Sequence, residues 1–394
     1  MRKVVWLASW WPSRERPGYG IFNRRWAEIV ARTCELQVFT PPSATLGHPE
    51  TSKDRSYGVR ELPFRELAGP LPATFRHADV IQLLSPSGWG VAWQLRAAAT
   101  RVPCVVVDHS LGSDGYWERL PLRAKMLYRL AYRRATVAVG LNADHLARLK
   151  RLGLTDRPGL ITVRVANVVD ECFLRAGRSR SNVSRGIPAS NPRFVHVSGL
   201  SDEQKNVTGI LRGFALLLAV VPGAELHICG AGGDEPHLRQ LAHSLGLSDE
   251  SLRWRGQLGA TALAEVFLDS DYLVMASRRE VDGCAVSEAL ASRLAVLTTD
   301  AAGMRSKVTP DRGWLLPNGS PEVIAEGMLR AVRSSDFLPP ALTGSEAFLP
   351  HHVSEAYTRA YERAIAGRRG TAYGSRRERT GESRRDVDES TDIR

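Results

Sequence analysis

Two α/β domains, each a parallel sheet covered by helices on both faces, are what the sequence predicts. Three observations predict them. At 394 residues the chain is too long for one ordinary core. Short apolar, β-branched runs alternate with helical stretches, the pattern of strand-helix-strand units. A Ser/Arg/Asn-rich interval at 175–192 breaks that rhythm once, and it then restarts. Two Rossmann-like domains facing one another follow from the repetition.

In the first half the expected strands are Val4–Ala8, Leu36–Phe39, Val80–Leu84, Cys104–Val107, Thr136–Val139 and Ile161–Val165. In the second half they are Phe194–Val197, Glu225–Cys229, Leu252–Trp254, Tyr272–Met275 and Ala295–Thr298. Between them lie amphipathic segments such as Ile210–Val220, with Ile210, Leu211, Phe214, Leu217 and Leu218 on one face. The expected division is a first domain at 1–174, a linker at 175–192 and a second domain at 193–345. A C-terminal helix at 346–366 then bridges back to the first domain, and a charged tail occupies 367–394. That tail has eight arginines against six acids and almost no apolar side chains, so it is expected to be disordered.

Composition narrows the function classes. Hydrophobic residues at 43% and charged residues at 24% are the proportions of a soluble globular protein. The longest apolar run, Phe214–Val221, is far short of the ~20 residues a membrane span needs. The N-terminus runs into Trp10-Trp11-Pro12 with no small-residue cleavage site, and reads as a buried strand rather than a signal peptide. Five scattered cysteines form no Cys-x-x-Cys and imply neither a disulfide framework nor a zinc site, which fits a reducing cytoplasm. The net charge of +11 favours anionic partners: phosphorylated ligands or an anionic membrane face. No nucleic-acid motif accompanies it.

The chemistry-bearing residues cluster in the second half. Glu280 and Glu288 are separated by seven residues where the strand Tyr272–Met275 hands over to a helix expected at Ala285–Ala291. One carboxylate then lies at the open carboxyl end of a parallel sheet and the other one to two turns into the helix, both facing the crevice where such sheets bind ligands. Lys205, followed by Asn206, sits after a strand and at the opening of a helix, where a cation can reach an anion over the helix N-terminus. Cys229-Gly230-Ala231-Gly232-Gly233 is a glycine-rich turn between strand and helix. Arg255-Gly256-Gln257-Leu258 is a loop whose backbone can read a nucleobase edge.

Taken in order, these segments resemble the large retaining glycosyltransferase family with the glycosyltransferase-B fold, family four. The resemblance is strong over roughly residues 194–308. It is weaker over Trp11 to Phe22, His109 and Ala166 to Phe173. It implies that Glu288 binds the ribose hydroxyls and that Glu280 lies against the donor sugar. It places the backbone around Asp282, Gly283 and Cys284 opposite the diphosphate, with Lys205 as cationic clamp, and His109 at the reaction centre. Gly18 and Gly20 would let a first-domain loop close on the donor, and Gly256 and Gln257 would meet the base. The implied reaction moves a sugar from a UDP- or GDP-sugar to a hydroxyl acceptor with retention, without metal or other cofactor. The implied setting is envelope or exopolysaccharide synthesis in the cytoplasm, with an acceptor that is a glycan, a lipid-linked molecule or a small molecule, and contact with the inner membrane face.

The sequence also departs from the family pattern. Gly199 and Leu200 occupy the region of an arginine that usually accompanies the lysine, and Arg305 or Arg293 are the candidates to replace it. Val281-Asp282 stands where an aromatic is usual, so an aspartate has to turn away from the diphosphate. Two alternatives stay open: a non-catalytic partner subunit with the same fold, and a sugar-nucleotide epimerase or hydrolase.

Overall fold

The computed structural model describes residues 1–13, 18–42, 57–112, 115–181, 191–301, 303–334, 341–344 and 346–379, with side chains beyond 367 left out of account. The expected fold is present: two Rossmann-like domains, each on a wholly parallel sheet. The first sheet contains β1 (Arg2–Ala8), β2 (Cys34–Thr40), β3 (Gly58–Glu61), β4 (Val80–Leu84), β5 (Cys104–Val107), β6 (Val137–Gly140) and β7 (Ile161–Arg164). Their spatial order is β3-β2-β1-β4-β5-β6-β7. The second contains β8 (Arg193–Val197), β9 (Glu225–Cys229), β10 (Leu252–Gly256), β11 (Tyr272–Met275), β12 (Ala295–Thr299) and β13 (Gly313–Leu316), in the order β10-β9-β8-β11-β12-β13. Each order reverses direction once, beside β1/β4 and beside β8/β11, and the crevices at those points are where open parallel sheets take ligands.

The central strands are buried on both faces because helices cover both, which is why they are mostly apolar; the polar exceptions are Gln82 in β4 and Thr298 and Thr299 in β12. Two strands were not expected, β3 and β13. Both are sheet edges; β3 (Gly-Val-Arg-Glu) alternates between exposed and half-buried residues and so carries no apolar run.

The interval expected to be a linker begins as helix. Glu171–Ser181 is continuous, and its Phe173 is fully buried against Phe267 of the second domain, ring centroids 5.7 Å apart. Phe173, Ala176 and the apolar face they form drive the helix there despite its polar sequence. The remainder of the expected linker, 182–190, lies outside the described residues.

The C-terminal helix runs from Pro350 to Arg379. Its Val353, Ala356, Tyr357, Ala360, Tyr361 and Ala364 join the core of the first domain. Trp6 Nε1 donates to Tyr361 Oη (3.0 Å), whose hydroxyl donates to Gln82 Oε1 (2.7 Å), all buried. The helix therefore bridges back to the first domain as expected. It also continues through 367–379, the start of the expected tail; 380–394 lie outside the described residues. No described helix is long and apolar enough to cross a membrane.

Candidate nucleotide-sugar site

At the β8/β11 switch point the chain leaving β8 and the chain leaving β11 are tied together. The short helix Asp202–Lys205 ends at Asn206, which adopts a left-handed conformation (φ 55°) and donates from Nδ2 to Gly319 O (2.8 Å). Arg278 N and Arg279 N, on the turn after β11, both donate to Gln204 O, at 2.9 and 3.4 Å. This lacing brings Lys205 and Glu280 together: Lys205 Nζ lies 2.6 Å from Glu280 Oε2, with both side chains mostly buried.

The helix carrying Glu288 is Cys284–Ala291. Gly283 caps it at φ 61°, in the left-handed region, where a Cβ would meet Met304 Cγ at 2.8 Å. The first N–H groups of the helix have no partner within it. Cys284 stands at this end. Burial first, and the nearby Asp282 and Glu288 carboxylates, push its thiol up to about 12, so it stays a neutral thiol rather than a nucleophile.

Asp282 turns away from the helix terminus. Its carboxylate meets Lys307 Nζ at 3.0 Å and accepts from Asn142 Nδ2 (3.5 Å) and Asn167 N (3.4 Å), both in the first domain. Lys307 also donates to the Asp282 carbonyl and to Ser287 Oγ, the latter at 2.9 Å. The aspartate that replaces the usual aromatic is thus a clasp between domains, reinforced by Asn142 Nδ2 donating to Val281 O at 2.6 Å.

Glu288 is 5% exposed, and its Oε1 lies 2.6 Å from Arg25 Nη1 of the first-domain helix Ile21–Val30. Arg25 Nε is also 2.9 Å from Asp170 Oδ2. Burial works against the Arg25 charge, but Glu288 and Asp170 more than offset it and hold the guanidinium above its ordinary value. Burial pushes the Glu288 carboxyl up, and Arg25 pulls it back toward ionisation.

The first-domain residues face this cluster. Gly20 sits at φ 72° against the Trp10 carbonyl carbon, where a Cβ would come within 2.6 Å, and Gly18 approaches Gln257 of the second domain. Gly256 is left-handed at φ 62° and accepts from Gly230 N (2.7 Å), so the two loops after β9 and β10 support each other. His109 follows β5. Its ring lies 3.8 Å from that of Phe22 and 4.7 Å from Trp26, and its buried Nε2 has no hydrogen-bond partner among the described residues. Burial first, and His145 second, hold the imidazole well below its ordinary value, so it is neutral near pH 7. Asp108 fixes the loop by accepting from Ser110 N (2.7 Å), Leu111 N (2.6 Å) and Tyr128 Oη (2.9 Å).

The structure therefore gathers Lys205, Glu280, Gly283, Cys284 and Glu288 at one switch point, with Gly18 and His109 across the crevice. It adds Arg25, Lys307 and Asn142, which sequence reasoning missed. An aspartate at a helix N-terminus with no local cation was a signal for Lys307; nothing local pointed to Arg25. The candidate replacements for the missing arginine have their own surroundings. Arg293 lines a cavity with Ile29, Arg32, Leu174 and His351, and Arg305 pairs with Asp144 and Asp300. Gly230 and Gly232 serve packing, since a Cβ on either would strike the backbone of Ser198 or Leu200.

Two facing Rossmann-like domains, bridged by a C-terminal helix, with paired acids and lysines at the second switch point, define the class: a glycosyltransferase-B fold. Residues 178–338 match the family model described as glycosyl transferases group 1. Among solved structures, it is similar to HepE of Anabaena in complex with UDP and glucose, at TM-score 0.65 and 16% identity, covering 96% of this chain and 100% of that one. Sucrose-phosphate synthase from Thermosynechococcus elongatus gives 0.63 and 16% over the same coverage. The lipopolysaccharide outer core galactosyltransferase WaaB gives 0.59 and 13%, covering 95% and 100%. No curated protein matches the chain in sequence.

Proposed function

We propose that the protein transfers a sugar from a nucleotide diphosphate sugar to a hydroxyl acceptor, with retention at the anomeric carbon and without a metal. The carrying observation is the Lys205–Glu280 pair at the crevice between β8 and β11, with Glu288 on the helix that follows. Glu288 offers the ribose diol a carboxylate, which can accept two hydrogen bonds. The diphosphate lies against the N-terminus of helix Cys284–Ala291, with Lys205 as its counter-charge. Glu280 holds donor hydroxyls and favours positive charge developing at the anomeric carbon. With the thiol of Cys284 neutral and no side chain among the described residues activated as a nucleophile, the acceptor oxygen attacks on the face the phosphate leaves. The bond from the anomeric carbon to the phosphate oxygen breaks as the bond to the acceptor forms, and the acceptor proton passes to the leaving phosphate. His109, neutral and boxed by Phe22 and Trp26, donates or accepts at the acceptor side.

UDP-sugars are the first donors to test, because HepE is similar in fold and its complex holds UDP and glucose. The setting proposed is polysaccharide or envelope glycan synthesis at the cytoplasmic membrane face. One observation favours the non-catalytic alternative: Glu280 and Glu288 are both engaged in ion pairs. Thermal stabilisation against a panel of nucleoside diphosphates, then release of nucleoside diphosphate from the sugar donor with and without acceptor, decides between them. A ligand at a hundred times its Kd adds ~2.7 kcal/mol. Acceptor-dependent release, unaffected by EDTA, is the expected result. Stabilisation without turnover on any donor identifies a partner subunit, and acceptor-independent release identifies a hydrolase.

A further inference from the structure

The first-domain helix Leu122–Arg134 presents a face that the site above does not use. Leu122 and Met126, one turn apart, are 77% and 68% exposed, and only Met1 among the large described hydrophobics matches them. Their spacing puts both on one side of the helix, with half-buried Leu130 continuing the ridge. The opposite side is anchored by Tyr128, Ala131 and Tyr132, all buried. Five cations, Arg123, Lys125, Arg129, Arg133 and Arg134, lie along the helix with no acidic residue among them. Arg123, Arg133 and Arg134 form no ion pair with any described residue, while Arg129 and Lys125 are braced over the Trp117 ring at 5.3 and 6.0 Å.

A basic face alone is ordinarily a solvated one. Here an exposed apolar ridge runs between uncompensated cations, the combination that binds the interface of an anionic bilayer through hydrocarbon burial and charge together. A phosphate backbone would be served by the cations and gain nothing from Leu122 and Met126. We propose that this face docks the first domain on an anionic lipid surface.

Topology says what docking achieves. The helix connects β5 to β6, which are parallel, so its N-terminal end lies at the carboxyl edge of the sheet, where His109 follows β5. The preceding turn reaches the second domain there, Arg119 Nη1 meeting Glu203 Oε1 at 3.1 Å. Leu122 and Met126 are therefore at the crevice end of the helix. A bilayer seated on them brings a lipid-borne hydroxyl acceptor to the crevice mouth; that consequence, unlike the docking itself, rests on the proposed transferase reading.

The test is co-sedimentation of the full-length protein with vesicles of phosphatidylcholine alone and of phosphatidylcholine with phosphatidylglycerol. Binding is expected only with phosphatidylglycerol and to weaken with salt. At about fivefold per cation, Arg133→Ala with Arg134→Ala lowers partitioning on the order of thirtyfold. The same charge removed from helix Pro321–Arg333, by Arg330→Ala with Arg333→Ala, leaves it nearly unchanged. Leu122→Ser with Met126→Ser lowers it at least about tenfold. Melting temperatures unchanged from wild type show that the variants fold. No vesicle binding, equal binding to both vesicles, equal loss from the two arginine pairs, or no effect of the Leu122 and Met126 changes overturns the proposal. Transfer to a soluble acceptor does not enter this assay, so a protein that binds vesicles but transfers no sugar refutes only the transferase reading.

Discussion

Removing Arg25 should uncover the cost of holding Glu288 in the seam between domains. In Arg25→Met the Glu288 carboxylate, 7% exposed in its side chain, keeps its burial and loses its partner. Breaking a buried pair from one side typically costs about 3–5 kcal/mol. The carboxyl has an escape, which is to take a proton. At about 1.36 kcal/mol per pH unit above its ordinary value of 4.5, protonation costs about 3.4 kcal/mol at pH 7 and about 1.4 kcal/mol at pH 5.5. The loss of stability is therefore capped near those figures. At roughly 2–4 °C per kcal/mol for a domain of this size, the variant melts roughly 7–14 °C below wild type at pH 7 and roughly 3–6 °C below at pH 5.5. The sign follows from an acid whose folded pKa is raised. Its contribution is fully present below the unfolded value and is lost as pH rises toward the folded one, so the gap widens with pH. Groups facing Glu288 besides Arg25 are Asp170, Lys307 and the neutral Cys284 thiol, and none replaces the lost bond. Scanning calorimetry at both pH values reads the gap, and Arg25→Met with Glu288→Gln should recover most of it, because the carboxylate then left without Arg25 is that of Asp170, 28% exposed and able to meet water. A variant that melts with wild type at pH 7, or a gap that does not change with pH, refutes the buried pair. Affinity of Arg25→Met for nucleoside diphosphate should rise with pH for the same reason, since the ribose needs the ionised carboxylate.

Lys205→Ala should weaken nucleoside diphosphate far more than nucleoside in calorimetric titration, and equal losses would place the lysine away from the phosphates. Glu280→Gln should lower kcat more than it raises KM, because the charge matters most as the sugar becomes cationic; normal turnover would make the glutamate structural. Lys307→Met leaves the buried Asp282 facing Asn142 and Asn167 without its cation, and should lower the melting temperature, which scanning calorimetry checks. His109, held neutral, should add no limb to the pH–rate profile between pH 6 and 8, which comparison of wild type with His109→Gln checks.

Much of the fold was legible because a strand covered on both faces has to be largely apolar, as β4, β11 and β12 are; Gln82 in β4 and Thr299 in β12 are buried with hydrogen-bond partners. Edge strands escape that rule. β3 pairs only with β2 and carries Arg60 and Glu61, so its sequence resembles a loop. The candidate site divides in the same way. Lys205, Glu280 and Glu288 were legible because each sits at a strand-to-helix junction, where local spacing aims a side chain into the crevice. Arg25 and Glu288 lie 263 residues apart, and their contact is decided by how two domains meet. Asp282 was recognised as out of place beside a phosphate, yet the residues that hold it, Asn142 and Lys307, are supplied by other segments.

The bridging helix has a consequence for synthesis of the chain. Trp6 is synthesised 351 residues before Tyr357 and 355 before Tyr361, the two tyrosines that close its side of the core. At about 5–20 residues per second, the first domain, its sheet completed by β7, waits roughly 10–40 s with an apolar groove open before its own chain can fill it. The second domain needs no such wait, since its sheet and covering helices are contiguous in sequence. The half of the protein made first is thus the half completed last, and its nascent groove is where chaperones or stray hydrophobic segments would find it.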